Sequence, residues 1–137
     1  MAKESGLGMT VTVDDSSGSA QTLTTDVLSV NIVMPSAIQD VTAVGSSAME
    51  RLHLLADLQI TFNGVFDDGA NLAHAVFKNY RTLPGSELGR TTAVAHSGQT
   101  LTDTLLYQNY YLNRAADGSF VWTTTGLLAD GTVPAWT

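Results

Sequence analysis

Apolar and polar residues alternate with a period of two through most of this 137-residue chain, which confines it to a fold built mainly of half-buried strands. Residues 57 to 66 show the pattern best. Leu58, Ile60, Phe62 and Phe66 fall on one face, and Gln59, Thr61 and Asn63 on the other. Residues 9 to 13 set Met9, Val11 and Val13 against Thr10 and Thr12. Residues 22 to 33 set Leu28, Val30 and Ile32 against Ser29 and Asn31, until Pro35, which cannot donate to a ladder, closes the run. With the turn-like stretch 14 to 21 between them, these two runs predict a long hairpin or meander. The segments 90–97, 99–114 and 119–126 are rich in Thr, Val and aromatics, and Asp117-Gly118 is a hairpin turn signal between the last two.

The period changes clearly once, in "FNGVFDDGANLAHAVFKNY" (62–80), which predicts one helix over about 69–80. Leu72, Val76 and Tyr80 recur at four-residue spacing, with Ala73 and Phe77 widening the stripe, so one side lies on a sheet. Asp67 or Asp68 suits the N-cap, and Lys78 and Arg81 suit the C-terminal end. A capped helix on a sheet face makes the class α+β, mainly β. Residues 36 to 50 are small and polar without a sustained period, a long loop of functional length. From 47 to 55 two readings stand. Ser47 and Glu50 match a capping box, whereas "LHLLADLQITF" reads equally well as extended; loop followed by strand is favoured.

No repeat or linker divides residues 1–137, so the chain reads as a single domain. The absence of cysteine excludes thiol nucleophiles, Cys-ligated zinc and disulfides. No stretch approaches the ~20 apolar residues of a membrane span, so neither membrane insertion nor export is expected. Six Lys and Arg against thirteen acids give a net charge of −7, too few cations to hold nucleic acid by phosphate neutralisation. Only 14% of residues are charged, below the ~25% of an average domain, a hint of self-assembly.

The residues point to no enzyme. His53, His74 and His96 stand in no ligand spacing, His74 falling on the expected wet side of the helix. No nucleophile elbow, phosphate loop, dinucleotide fingerprint or calcium loop is present, so no catalytic, cofactor-binding or metal-binding residue is assigned. No third carboxylate follows Asp67-Asp68 at a ligand spacing, so capping is favoured over cation binding. Tyr107, Tyr110, Tyr111, Phe120 and Trp122 suggest a stacking platform. Alternation sets Tyr110 opposite Tyr107 and Tyr111, which favours core packing.

Four segments in this order, "MTVTVDDSSG", "VTAVGSSAMERLHLLAD", "ITFNGVFDDGANLAHAVF" and "NRAADGSFVWTTTGLLADGTVPAWT", carry a further signal. Together they resemble the major tail tube proteins of long-tailed, siphovirus-like bacteriophages, in particular the short single-domain kind from phages of actinobacteria. The resemblance implies a phage tail tube fold: a β-sandwich or partly closed barrel with one flanking helix. It implies hexameric rings stacked into a tube, one sheet of every subunit joining its neighbours' around a lumen through which DNA passes without specific binding. Partners would be further copies, a terminator, a tape measure and a baseplate. Localisation would be the virion tail, assembled in the bacterial host cytoplasm.

On that resemblance a ring would carry 6 × (−7) = −42, and a lumen holding part of it would repel phosphate. Asp14, Asp15, Asp26 and Asp103 are the acidic lumen candidates. The N-terminal arm 1–8, the long loop 36–50 and the C-terminal arm 127–137 are the expected assembly contacts, with Val41, Val44, Leu127, Leu128, Val133 and Trp136 at the interface. The alternatives are a tail terminator, a capsid decoration protein or a carbohydrate-binding β-sandwich module.

Overall fold

The structure, a computed structural model, describes residues 3–85 and 87–137; Met1 and Ala2, the start of the expected N-terminal arm, lie outside the described residues. Its strands are β1 (Thr10–Asp14), β2 (Ala20–Thr22), β3 (Ser29–Val33), β4 (Ser36–Asp40), β5 (Arg51–Ala56), β6 (Gln59–Val65), β7 (Arg90–His96), β8 (Gln99–Tyr107), β9 (Tyr111–Arg114) and β10 (Phe120–Leu128), with one helix, α1 (Ala73–Phe77). Eight strands form one antiparallel sheet in the order β2-β1-β7-β8-β10-β6-β3, with β9 also on β10. The sheet is not closed into a barrel. Strands β4 and β5 pair only with each other.

The large sheet forks at β10. Along one edge β10 pairs with β6 from Val121 to Leu127. Along its other edge, residues 120–123 pair with β9, and residues 126–128 pair with the end of β8. Gln108, Asn109 and Tyr110 make the step between β8 and β9. The Gln108 N–H donates to the Thr125 carbonyl, the Thr124 hydroxyl to the Asn109 carbonyl, and the Thr125 N–H to Asn109 Oδ1 at 3.2 Å. Beyond this step β8 leaves with β7 for its whole length. Two leaves result, β2-β1-β7-β8 and β3-β6-β10-β9, with the core between them.

The first leaf contributes Val11, Val13, Val94, Leu101 and Leu105 to that core, and the second Ile60, Phe62 and Trp122. The inner face expected of residues 57 to 66 is therefore present, Leu58, Ile60 and Phe62 being buried. Gly98 (φ +78) follows Ser97 (φ +52) in the tight turn from β7 to β8, the backbone such a two-residue hairpin demands. Residues 22–33 are not one strand. After β2 the chain crosses between leaves, sending Leu23 into the core, and only from Ser29 does it pair with β6.

The helix spans five residues rather than 69–80. Asn71 sits at φ +62 and Leu72 is extended, so the α conformation starts at Ala73. Its cap is not Asp67 or Asp68: Asp67 Oδ1 accepts the Gly69 N–H, and the free Ala73 N–H is taken at 2.8 Å by Asp26 from the crossover. Gly64 permits this, because a Cβ there would collide with the Asp26 carbonyl. The other end is held by neither Lys78 nor Arg81. The wholly buried Arg90 of β7 donates to the carbonyls of Val76, Asn79 (2.8 Å) and Thr82 (3.0 Å). Phe77 then packs against Tyr107, Tyr110 and Trp122, closing one end of the core.

Arg90→Met leaves three inward carbonyls without a donor and should cost about 3 kcal/mol. Guanidinium unfolding followed by tryptophan fluorescence measures it, and an unchanged midpoint contradicts this role for Arg90.

Candidate functional site

Among the described residues no group of three side chains is placed to hold a metal ion. No helix is long and apolar enough to cross a membrane. The histidines stay apart. His53 Nδ1 meets Ser36 Oγ at 3.2 Å, and Glu4 lies 3.8 Å from His96. His74, expected on the wet side, is half-buried beside the Phe66 ring and bonds Tyr110 through Nδ1 at 3.1 Å. The aromatic group is core. The step at 108–110 resets the alternation, so Tyr107 and Tyr110 turn inward together and only Tyr111 faces out, unlike the expected split. Burial raises the pKa of Tyr107 and keeps it a neutral phenol, although the bond to the Thr92 hydroxyl pulls the other way.

The unusual features lie on the outside, in three forms. The first is the β4–β5 hairpin, where most of the expected loop 36–50 and the 47–55 ambiguity resolve into two strands and an ordered tip. At the tip the Thr42 hydroxyl donates to Asp40 at 2.6 Å, and the Glu50 N–H to Thr42 at 2.8 Å. Nearly every residue of both strands is exposed. Ile38 opposes His53 on one face, while Leu52 and Leu54 occupy the other; Leu55, at 86% exposure, and Val44 at the tip are more open still. Val41 is exposed as well. Two strands carrying apolar residues on both faces are only marginally stable alone.

The second feature is backbone edges. Among the described residues β9 pairs only with β10, β3 only with β6, and β2 only with β1. The second edge of β8 is filled by its own chain. After β10 the Ala129 N–H bonds the Thr104 carbonyl, and Thr100 and Thr137 exchange two bonds of 2.8 and 2.9 Å beside the Leu101–Trp136 bridge. The expected C-terminal arm 127–137 is therefore shorter. Leu127 and Leu128 belong to β10, paired with Leu106 and Leu105, and Leu128 packs on the core. Trp136 stays 40% exposed although its backbone is docked, and Val133 is exposed beside Pro134, near the base of the β4–β5 hairpin.

The third feature is charge placement. Strands β3, β6 and β10 contain no charged residue. The outward face of their leaf carries Ser29 opposite Asn63, Asn31 opposite Thr61, and Thr61 opposite Thr125. The other leaf shows Thr10 opposite Ala95, Thr12 opposite Ala93, and Ala93 opposite Thr102. Both faces are thus uncharged, mixing short polar and small side chains with exposed apolar ones such as Val33, Val65, Leu106 and Tyr111.

The four acidic candidates do not form one surface. Asp26 and Asp103 are buried, the first as the helix cap and the second on the core side of β8 with Oδ2 unpartnered. Asp14 is buried at the end of β1. Asp15 folds back on its own turn, accepting from Ser17, Ser19 and Gln21, and those bonds hold its pKa at about 2. Burial raises the pKa of Asp14, Asp26 and Asp103 above the ordinary 3.8, and Glu87, Asp67 and Asp130 respectively push the same way. Sequence reasoning missed the Asp26 cap and the free β9 edge; an Asp in a crossover, 47 residues from the amide it caps, leaves no local signal.

No protein-family model matches the sequence, and no curated protein does. Two solved structures match over nearly the whole chain. A chain in the virion of a native gene transfer agent particle superposes with a TM-score of 0.74 at 14% identity, covering 98% of this chain and 99% of that one. A chain in the tail of an empty gene transfer agent particle, solved by helical refinement with C6 symmetry, gives 0.71 at 17% identity, covering 98% of each. At these identities the likeness establishes the fold, a mainly β architecture with one short helix.

Because Asp103 binds its proton more tightly folded than unfolded, its charge opposes folding at neutral pH. That penalty disappears as pH falls through the folded pKa, and is gone below the unfolded value near 3.8. Asp103→Asn should therefore stabilise the subunit by about 1 kcal/mol at pH 7 and by almost nothing near pH 3. Urea midpoints at the two pH values decide it; equal effects at both would remove the burial argument.

Proposed function

We propose that this chain is a structural virion protein, the subunit of a phage tail tube, which assembles as hexameric rings stacked around a channel for DNA ejection. The observation that carries the reading is the end-to-end match to a tail chain solved with C6 symmetry. The long-tailed, actinobacterial type of phage rests on segment wording alone. So do the terminator, tape measure and baseplate partners and assembly in the host cytoplasm.

Two physical features favour assembly over a solitary role. Exposed apolar strands on both faces of β4–β5 need a covering surface. The leaf β3-β6-β10-β9 has free strands at both ends, so copies related by rotation can extend one sheet into another. Six such leaves supply 6 × 4 = 24 strands around a lumen. In that arrangement the wall facing DNA is the uncharged outward face of this leaf. Strands β3, β6 and β10 offer it no cation, and Arg114 of β9, opposite Phe120, lies on the core side, so passage relies on a neutral wall rather than the acidic one expected from composition.

The β4–β5 hairpin, with Val41 and Val44 at its tip, is the proposed contact between stacked rings, together with Val133 and Trp136 near its base. The double variant Leu52→Asp, Leu54→Asp puts two charges on one hairpin face without touching the core. Wild-type protein at high concentration should form regular hollow tubes in negative stain. The variant should remain a folded subunit or single ring. Tubes from the variant would remove the hairpin from ring stacking, and a wild-type chain that stays monomeric at every concentration would remove the tube reading itself.

A further inference from the structure

At one free edge of the β3-β6-β10-β9 leaf stands Leu112. It pairs with Trp122, and so points to the core side, but the subunit's core ends at β10, leaving Leu112 42% exposed. Every other β9 residue is exposed too, and the strand's outward backbone bonds to nothing among the described residues. A polar residue would be the ordinary choice on such an edge.

At the opposite edge lies an opening. Between β1 and β3 the sandwich does not close, and a slot of about 430 Å3 opens there. Its walls mix Met9, Val11, Val27 and Val30, members or neighbours of the core, with Thr24 and Ser29, and its rim includes Leu28, which is 70% exposed. Immediately beside it runs β3 with its second edge unpaired.

Strand direction connects the two. β3 is antiparallel to β6, β6 to β10, and β10 to β9, so β3 and β9 run in opposite directions. A rotation that carries one copy to the next preserves those directions. It therefore brings β3 of the second copy against β9 of the first in an antiparallel pairing, the same alternation continued across the boundary. β9 lies towards one end of β10, whereas β3 pairs along the middle of β6, an offset of the kind strands need when a sheet closes with a stagger. Within the large sheet no other edge does as well. β2 offers three residues, and the second edge of β8 is occupied by β10 and the C-terminal segment.

We infer that subunits join laterally by a knob and a slot: β9 of one copy adds antiparallel to β3 of the next, and its Leu112 enters the slot beside β3, against Val27 and Val30. The inference rests on the tube reading and adds to it which strands meet and which side chain locks them. The backbone ladder supplies adhesion without selecting a register. Leu112 selects it, because a slip of one residue turns the side chain to the lumen face and leaves the slot open.

The chain has no cysteine, so introduced pairs report without background. Asn31 of β3 and Asn113 of β9 share the outward face, being opposite Thr61 and Val121. Tubes of the Asn31→Cys, Asn113→Cys variant, treated with a thiol linker reaching about 8 Å, should give a ladder of covalent oligomers up to the hexamer. Asn31→Cys with Thr22→Cys, whose position opposite Thr12 puts it on the outward face of the rival edge β2, should give none. Leu112→Asp should abolish rings while leaving the monomer's thermal midpoint within about 1 °C, since the residue is exposed in the free subunit. Leu112→Met should assemble. Laddering of the Asn31→Cys, Thr22→Cys variant in place of the Asn31→Cys, Asn113→Cys variant, or rings from Leu112→Asp, overturn the joint and leave the tube reading standing. A wild-type chain that never assembles overturns both.

Discussion

A step of three residues between β8 and β9 governs the architecture. If residues 99–114 ran straight, they would pair with β10 throughout as one hairpin, and the molecule would be a single flat sheet with no interior. At Gln108 to Tyr110 the strand is interrupted instead, with Asn109 bonding both Thr124 and Thr125. An extra residue in one strand of an antiparallel pair bends it and increases its twist. The bend here sends β8 away to build the second leaf with β7. It also rotates Tyr110 inward beside Tyr107, so both reach Phe77 and Tyr110 also reaches Trp122. And it leaves β9 alone, four residues long, as a free edge. Core, helix seat and open edge all descend from one local interruption.

The placement of charge follows a second logic. An ordinary antiparallel sheet hides one face and wets the other with charged side chains. Here both outward faces are nearly free of them, and the carboxylates that do exist lie in turns, at strand ends or inside. Two buried aspartates have structural duties or none that is satisfied: Asp26 caps α1, whereas Asp103 is retained with an unpartnered oxygen. The net charge of −7 is therefore a property of the rims, and the broad surfaces are electrically quiet.

Some of this was legible in the amino-acid sequence and some was not, for reasons that can be assigned to particular residues. Leu58, Ile60 and Phe62 announced their strand because one face meets the subunit's own core, which is the condition under which period two appears. The hairpin 36–56 gave no such signal because neither face meets that core: Ile38, Leu52, Leu54 and Leu55 have no inside to point to, so a true pair of strands read as a loop. Asp67 and Asp68 had the right spacing for a cap, but Asn71 takes a left-handed backbone and the donor that needed capping found Asp26. Arg90 carried no hint of its role, since a lone cation before a Thr-rich strand looks like a solvated residue. Of the candidate interface positions, Leu127 and Leu128 were drawn into β10 by pairing that a one-dimensional pattern cannot show, while Val41, Val44, Val133 and Trp136 stayed open.

The magnitudes on the proposed joint bear on how assembly would proceed. An edge of four residues offers few ladder bonds, each contributing about 0.5–1.5 kcal/mol net. Burying one leucine adds about 1.5–3 kcal/mol. Immobilising two subunits costs about 4–15 kcal/mol, so a single lateral contact roughly cancels and pairs of subunits do not accumulate. Closing a ring changes the balance, because the last subunit gains two contacts for one immobilisation. Stacking changes it again, when the apolar faces of the β4–β5 hairpins leave water. In the proposed assembly, short edges and an unsupported hairpin, which are liabilities in a monomer, would thus make a subunit that stays dispersed until a ring or template presents several of its contacts at once.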